Sequence, residues 1–248
     1  MRTKLLPLLP TSTSSLLKRS IQKIGQSREY DILDVGCGDG ERIELIDPAV
    51  RYRTVGIDLS ASRLSKAKRR GVYNDCVACD VNQPPFIDHS FTTVLCAHTI
   101  EHLEKDSGAM LISRLQEMAG RQVIITTPVG YLDVDEFVED PLMKHKSGYT
   151  PKEMRSMGFS VRGQGIFLWR YLYGKRGLTK IIPPPFTYFA LFLFYLLEPM
   201  AHAFPTVAVH MFCIRRTEEF IGQVPLECND SSDHNVHVDS SFFRNQVL

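Results

Sequence analysis

The chain has 248 residues, of which 44% are hydrophobic, 29 are basic and 28 are acidic. A chain of this length and apolar content can bury a core of its own, which excludes wholesale disorder and a collagen-like sequence. The formal net charge of +1 also argues against a globally basic nucleic-acid-binding protein.

The two ends of the chain differ from its middle. Residues 1–28 contain six basic and no acidic side chains, which predicts either a basic helix packed on the domain or a leader such as an organelle transit peptide. Residues 217–248 are polar and predict a disordered tail. The six cysteines show no paired framework and no secretory signal precedes them, so we expect a reducing, cytoplasmic environment.

From residue 30 onwards, short apolar strands alternate with helical stretches. The predicted strands are 31–35, 54–58, 75–80, 91–97 and 122–127. A helix starts at Glu41, a basic helix covers 60–70, and a third helix precedes the fifth strand and ends at Gly120. This alternation predicts an α/β domain with a parallel sheet built from βα units.

Two further strands are predicted after an irregular, acid-rich stretch at 129–149. Thr150, Pro151 and Glu153 form a helix-start pattern with an N-cap, a proline at the first position and a reciprocal cap. The sixth and seventh strands are predicted at 159–167 and 207–214. We therefore assign the domain to residues 29–216, with an apolar insertion at 170–205 between the last two strands.

The insertion combines a basic approach with a strongly apolar run. Residues 151–182 carry seven basic side chains and one acidic side chain, and residues 186–197 carry no charge. Twelve uncharged residues fall short of the roughly 20 that a membrane-spanning helix needs. Three interpretations stay open: a buried helix or one that covers the active site, peripheral membrane contact through 183–204, and a true span.

A glycine-rich turn follows the first strand. Gly36, Gly38 and Gly40 allow a tight turn before a helix N-terminus, and Asp58 ends the second strand where it can bind a ribose. A dinucleotide fingerprint would need a third glycine at position 41, where Glu41 stands. An adenosyl cofactor with an ammonium group fits this acidic turn better.

Four segments in order carry a family resemblance: 32–40 (ILDVGCGDG), 55–58 (VGID), 78–81 (ACDV) and 97–103 (AHTIEHL). Together they resemble the class I S-adenosylmethionine-dependent methyltransferases. The resemblance implies a Rossmann-like, mostly parallel seven-stranded sheet in the order 3-2-1-4-5-7-6, with helices on both faces. It also implies S-adenosylmethionine as the cofactor.

The resemblance further implies roles for individual residues. The turn after the first strand would wrap the methionine part, Asp34 would hold the ammonium, Asp58 the ribose, and Asp80 the adenine amino group. The implied cofactor-binding residues are Asp34, Gly36, Cys37, Gly38, Asp58, Leu59, Asp80, Val81 and Ala97.

A general base would assist transfer to a hydroxyl, and the candidate catalytic residues are His98, Glu101 and His145. His102, one helical turn beyond His98, is more typical of a packing or capping residue. The segment 98–102 also spells H-x-x-E-H, a zinc pattern, but it begins at a strand end beside a cofactor turn and no downstream acid supplies a third ligand. We therefore expect no metal.

The acceptor is less well specified. No Asn-Pro-Pro-aromatic run follows the fourth strand, which argues against base methylation and a nucleic-acid partner. The apolar insertion favours a small-molecule or lipid-like acceptor. The alternatives are an NAD-dependent oxidoreductase and a cofactor-binding or membrane-associated module without turnover.

Overall fold

The structure is a computed structural model, which describes residues 13–22, 30–133, 140–166 and 184–217. Several predicted segments lie outside these residues. They are the start of the 1–28 segment, the basic part of the insertion up to residue 183, and all but the first residue of the 217–248 tail.

Helices and strands alternate along the described chain. The helices are α1 (Thr13–Gln22), α2 (Glu41–Ile46), α3 (Ala61–Arg70), α4 (Lys105–Met118), α5 (Pro151–Ser156) and α6 (Pro184–Ala203). The strands are β1 (Tyr30–Val35), β2 (Thr54–Asp58), β3 (Asp75–Ala78), β4 (Phe91–Ala97), β5 (Ala119–Pro128), β6 (Ser160–Ile166) and β7 (Ala208–Arg216).

The seven strands form one sheet in the order β3-β2-β1-β4-β5-β7-β6, which confirms the predicted order. Strands β1 to β5 are mutually parallel, and β7 runs antiparallel to both of its neighbours. The strand order reverses between β1 and β4. Ligands of such sheets bind in the crevice outside the carboxyl ends of the strands at this reversal.

Helices cover both faces of the sheet because alternate residues of the buried strands point to opposite sides. On one face, Ile32 of β1 packs in a cluster with Leu17 and Ile21 of α1 and with Ile43 of α2. On the other face, Leu33 and Val35 pack in a cluster with residues of α4, including Leu111, Ile112 and Leu115. The basic helix near the N-terminus therefore packs against the domain over residues 13–22.

One predicted helix boundary is wrong, and one predicted helix cap is confirmed. The prediction that Gly120 ends the helix and that β5 starts at residue 122 is wrong. The helix ends at Met118 and β5 starts at once, because Ala119 pairs with Phe91 at the beginning of β4. The predicted cap of α5 is confirmed, since Thr150 accepts from the Glu153 amide while the Glu153 carboxylate accepts from the Thr150 amide.

Helix α6 lies within the predicted apolar insertion and packs closely on β6. A Cβ at Gly163 would meet the Ala201 carbonyl and Pro205, so only glycine allows this approach. Glu198 accepts a hydrogen bond of 3.1 Å from the Gly165 amide. No helix among the described residues is long and apolar enough to cross a membrane.

A stripe of large apolar side chains on α6 and just after it is nevertheless exposed. The members within the helix recur every three or four residues, with two adjacent pairs, along one helical face; we call the whole set the α6 stripe. They are Phe189, Phe192, Leu193, Leu196, Leu197, Met200 and Phe204, with exposed fractions from 37% to 63%.

Candidate functional site

The turn after β1 depends on backbone conformations that favour glycine. Gly36, Gly38 and Gly40 have φ angles of +72°, +57° and +82°. A Cβ at Gly36 would overlap the side chain of Thr99, which follows β4, whereas a Cβ at Gly38 would meet no atom within 4 Å. The turn thus packs tightly against the end of β4 at Gly36 and leaves open space at Gly38.

Asp58 ties this turn to the loop after β2. Its Oδ2 accepts from the Gly38 amide at 2.9 Å and its Oδ1 accepts from the Ser60 amide at 2.8 Å. Each carboxylate oxygen can accept more than one hydrogen bond, so both keep capacity for a ligand. The carboxylate is therefore held in place by backbone donors at the edge of the crevice.

Asp34 lies deeper, at the end of β1. It is buried and its Oδ2 accepts from the Tyr73 hydroxyl at 2.7 Å. Burial raises the pKa of Asp34 to about 6, although the hydrogen bond from Tyr73 and the charge of Arg42 oppose this rise. A carboxylate with so little solvation gains from the arrival of a cation.

The loop after β3 also borders the site. Asp80 is exposed, and its Oδ1 accepts from the backbone amide and side-chain amide of Asn82, both at 2.9 Å. Val81 is buried and Leu59 exposes 56% of its surface.

These loops enclose a cavity of about 500 Å³ at the carboxyl ends of β1, β2 and β4. All nine residues that the sequence predicted for cofactor binding line it: Asp34, Gly36, Cys37, Gly38, Asp58, Leu59, Asp80, Val81 and Ala97. His98 and His102 line it as well. Glu101 and His145 are not among its lining residues.

His98 has an unusual backbone and a defined side-chain partner. Its φ of 58° is uncommon for a residue with a Cβ, and its amide donates to the Thr126 carbonyl at 2.8 Å. Its Nδ1 lies 3.0 Å from Oε1 of Glu101, and its ring meets that of His210 edge to face at 5.1 Å. The end of β4 and the start of β7 together hold this imidazole.

Glu101 is buried behind His98 rather than facing the cavity. Its Oε2 accepts from the Thr127 hydroxyl at 3.1 Å. Burial opposes its ionisation, but the hydrogen bond and charge of His98 outweigh burial and hold the pKa of Glu101 below its usual value. Because an ionised carboxylate only accepts, Nδ1 of His98 carries a proton and Nε2 has a lone pair when the ring is neutral.

The segment after β5 is attached to the same region. The amides of Lys146 and Ser147 donate to the Glu101 carbonyl at 2.8 and 3.2 Å, which brings His145 beside His102. Their ring centroids are 5.0 Å apart. The carboxylate of Asp140 pairs with Arg63 of α3, so this segment is also linked to the other side of the cavity.

Sequence reasoning missed several cavity residues. They are Glu41, Arg42, Leu45, Arg63, Asn82, Thr99, Leu103, Leu142 and Met143. The sequence position of Arg63 indicates a place beside the cavity. It lies in the first turn of α3, the helix after β2, and the segments that follow the strands border the crevice. No sequence signal indicated Leu142 and Met143, because their position depends on the path of the long segment after β5.

The Cys76-x-x-Cys79 pair is not a disulfide, and both thiols are partly buried. Burial raises the pKa of each thiol, that of Cys79 to about 11. Both residues are therefore neutral thiols at physiological pH.

Comparisons with known proteins agree with this geometry. Residues 33–117 match the family model described as a methyltransferase domain. An uncharacterized protein of Methanocaldococcus jannaschii is 24% identical over 164 residues, which cover 66% of this chain and 68% of that protein.

Solved structures share the fold at low identity. A SAM-dependent methyltransferase from Archaeoglobus fulgidus has a TM-score of 0.51 and 17% identity, covering 83% of this chain and 95% of that chain. A putative sarcosine dimethylglycine methyltransferase from Galdieria sulphuraria has a TM-score of 0.55 and 15% identity, covering 82% of this chain and 84% of that chain. Residues 33–117 therefore match a methyltransferase domain, within a sheet that has the fold of S-adenosylmethionine-dependent methyltransferases.

The cavity fits S-adenosylmethionine, the cofactor of the methyltransferases that share this fold. The N-terminus of α2 carries Glu41, whose amide already donates to Asp39, so acidic groups stand where a dinucleotide would place its pyrophosphate. The same acids and Asp34 suit an ammonium group. A side chain at position 38 would occupy the open space beside the turn.

Proposed function

We propose that this methyltransferase transfers a methyl group to a small-molecule or lipid-like acceptor at the surface of a membrane. The catalytic unit is residues 29–216, and α6 belongs to the insertion at 170–205. The observation that carries the proposal is the exposed α6 stripe, on a helix that packs against β6.

The proposed cofactor-binding residues hold different parts of S-adenosylmethionine. Gly36, Cys37 and Gly38 hold the methionine part, and Asp34 binds its ammonium group as a buried carboxylate. Asp58 and the adjacent Leu59 hold the ribose. Asp80 and Val81 hold the adenine, with Ala97 beside the sulfur. The bound cofactor supplies an activated methyl group on a sulfonium centre.

His98 is the proposed base for a hydroxyl acceptor. Glu101 fixes the tautomer in which Nε2 can take the proton from that hydroxyl, as derived from the 3.0 Å contact between the two side chains. Glu101 therefore acts as a positioning residue. His145 packs against His102, which follows Glu101 in the chain.

The position of the α6 stripe supports an apolar acceptor. Helix α6 connects the end of β6 to the start of β7, and β7 begins at the sheet edge where β5 ends, with Pro128 paired to His210. His210 in turn contacts His98, which lines the cavity. An apolar surface at this edge can lie in a lipid interface while the cavity opens beside it.

The charge pattern of the sequence points the same way. The seven-to-one basic excess over 151–182 precedes α6. Basic residues near an interfacial helix add attraction to anionic lipids. A near-neutral chain with this local arrangement favours a peripheral membrane protein on the cytoplasmic side over a nucleic-acid-binding one.

Vesicle sedimentation tests the membrane contact. Phe192→Asp/Leu196→Asp should abolish binding to vesicles of phosphatidylcholine with phosphatidylglycerol. Met110→Asp, which charges an exposed apolar side chain on α4, should leave binding unchanged. Equal binding by wild type and the double variant would contradict the proposal.

A labelled-cofactor assay tests the acceptor. The wild-type protein is incubated with extracted lipids, soluble metabolites and RNA, and the label is expected in the lipid or metabolite fraction. Label confined to RNA would overturn the acceptor class. Calorimetry with S-adenosylhomocysteine and with NAD distinguishes the methyltransferase from the oxidoreductase alternative, since only the first should bind.

A further inference from the structure

Three side chains beside the cavity could share a metal ion. Glu101, His102 and His145 each offer one ligand atom, and these atoms lie within 4.8 Å of one another. Glu101 is buried and the two histidines are half-buried. Two imidazoles and one carboxylate form a donor set that suits a divalent transition metal.

One ring nitrogen of each histidine already has a hydrogen-bond partner. Nδ1 of His102 lies 3.2 Å from the Lys144 carbonyl, and Nδ1 of His145 lies 2.7 Å from the Leu132 carbonyl. A carbonyl can only accept a hydrogen bond, so each Nδ1 carries the proton. Each Nε2 is then left with a lone pair, in the arrangement that backbone carbonyls impose on metal-binding histidines.

The backbone holds the three residues together without a metal. Glu101 and His102 are consecutive, and the amides of Lys146 and Ser147 both donate to the Glu101 carbonyl. These bonds fix the segment that carries His145 against the other two residues. A site whose ligands are placed in advance loses less entropy on binding.

The carboxylate of Glu101 can still accept a cation. Its two oxygens contact His98 and Thr127, and each oxygen can accept more than one bond.

We propose that Glu101, His102 and His145 form a binding site for one divalent transition metal, best suited to zinc. This set differs from the H-x-x-E-H interpretation, because His98 lies outside it and the third ligand is His145 rather than an acid. His102 also lines the cavity, which places the metal next to it. The proposal does not rest on the identity of the acceptor.

Calorimetric titration of the metal-free, full-length protein tests this site. We expect one equivalent of Zn²⁺ to bind and Mg²⁺ not to bind, because imidazole ligands favour zinc. His102→Gln and His145→Gln should each weaken zinc binding by at least about tenfold. His89→Gln, which alters a histidine near the opposite end of β4, should bind like wild type.

Cobalt substitution provides a readout that does not depend on any variant. Co²⁺ bound to the wild-type protein should show visible absorption from nitrogen and oxygen ligands without a thiolate charge-transfer band. A thiolate band would assign the metal to cysteines and overturn the proposal. Absence of binding, or zinc binding unchanged in folded His102→Gln and His145→Gln, would overturn it too.

Discussion

Replacing Gly36 with alanine should destabilise the fold more than the same change at Gly38. Both glycines line the cavity and have positive φ angles. At Gly36, however, the new Cβ would lie 2.6 Å from Cγ2 and 2.9 Å from Cβ of Thr99, whereas at Gly38 it would meet nothing within 4 Å. Both substitutions incur the free-energy cost of a positive φ angle, and only Gly36→Ala adds a steric overlap.

The magnitudes follow from these contacts. A left-handed conformation costs a non-glycine residue about 1–2 kcal/mol, so Gly38→Ala should lower the free energy of unfolding by that amount. At Gly36, Thr99 must also move, and its hydroxyl now donates to the buried Val35 carbonyl at 3.1 Å. Losing that bond costs about 1–3 kcal/mol more, which gives a total of about 2–5 kcal/mol for Gly36→Ala.

Urea denaturation followed by circular dichroism measures both variants. A Thr99→Ala background gives a second check, because the overlapping Oγ1 and Cγ2 are then gone and Gly36→Ala should cost less than in wild type. Equal destabilisation by Gly36→Ala and Gly38→Ala would refute the steric reasoning. So would an unchanged cost of Gly36→Ala in the Thr99→Ala background.

Three further predictions concern the pH dependence, the base and a helix cap. Affinity for S-adenosylhomocysteine should fall as the pH drops through about 6, because the buried Asp34 then takes up a proton and can no longer hold an ammonium group. Calorimetry should show a flatter pH profile of affinity for Asp34→Asn, and an equally steep profile would contradict this role of Asp34. His98→Ala should lower kcat by about 10²–10⁴-fold in the labelled-methyl assay and Glu101→Gln by about 10–100-fold, with cofactor affinity retained, whereas unchanged kcat would exclude His98 as a base. Thr150→Ala should lower the free energy of unfolding by about 0.5–2 kcal/mol in urea, while Thr150→Ser should restore most of it; equal losses would show that the hydroxyl cap is not responsible.

Much of the fold was predictable because its signals are local. The first strand is apolar, and the glycines that follow it are typical of a tight turn. Asp58 ends the second strand and Asp80 follows the third. The carboxyl ends of parallel strands meet at one edge of a sheet, so residues in these positions converge whatever the loops do. This is why all nine predicted cofactor residues line one cavity.

The helix-to-strand boundary near Gly120 was not predictable in the same way. A glycine after a helix commonly ends it, but here Ala119 enters the sheet directly by pairing with Phe91. The partner strand, which is distant in sequence, decides this boundary.

The sequence by itself determined the βα order, the glycine turn and the strand-end carboxylates, because these depend on side-chain periodicity and backbone freedom. Only the tertiary structure decided that Glu101 is buried behind His98 and that His145 meets His102. Both depend on the segment after β5 bonding to the Glu101 carbonyl. The exposure of the α6 stripe was likewise decided by packing, since an apolar helix can turn either face to the sheet.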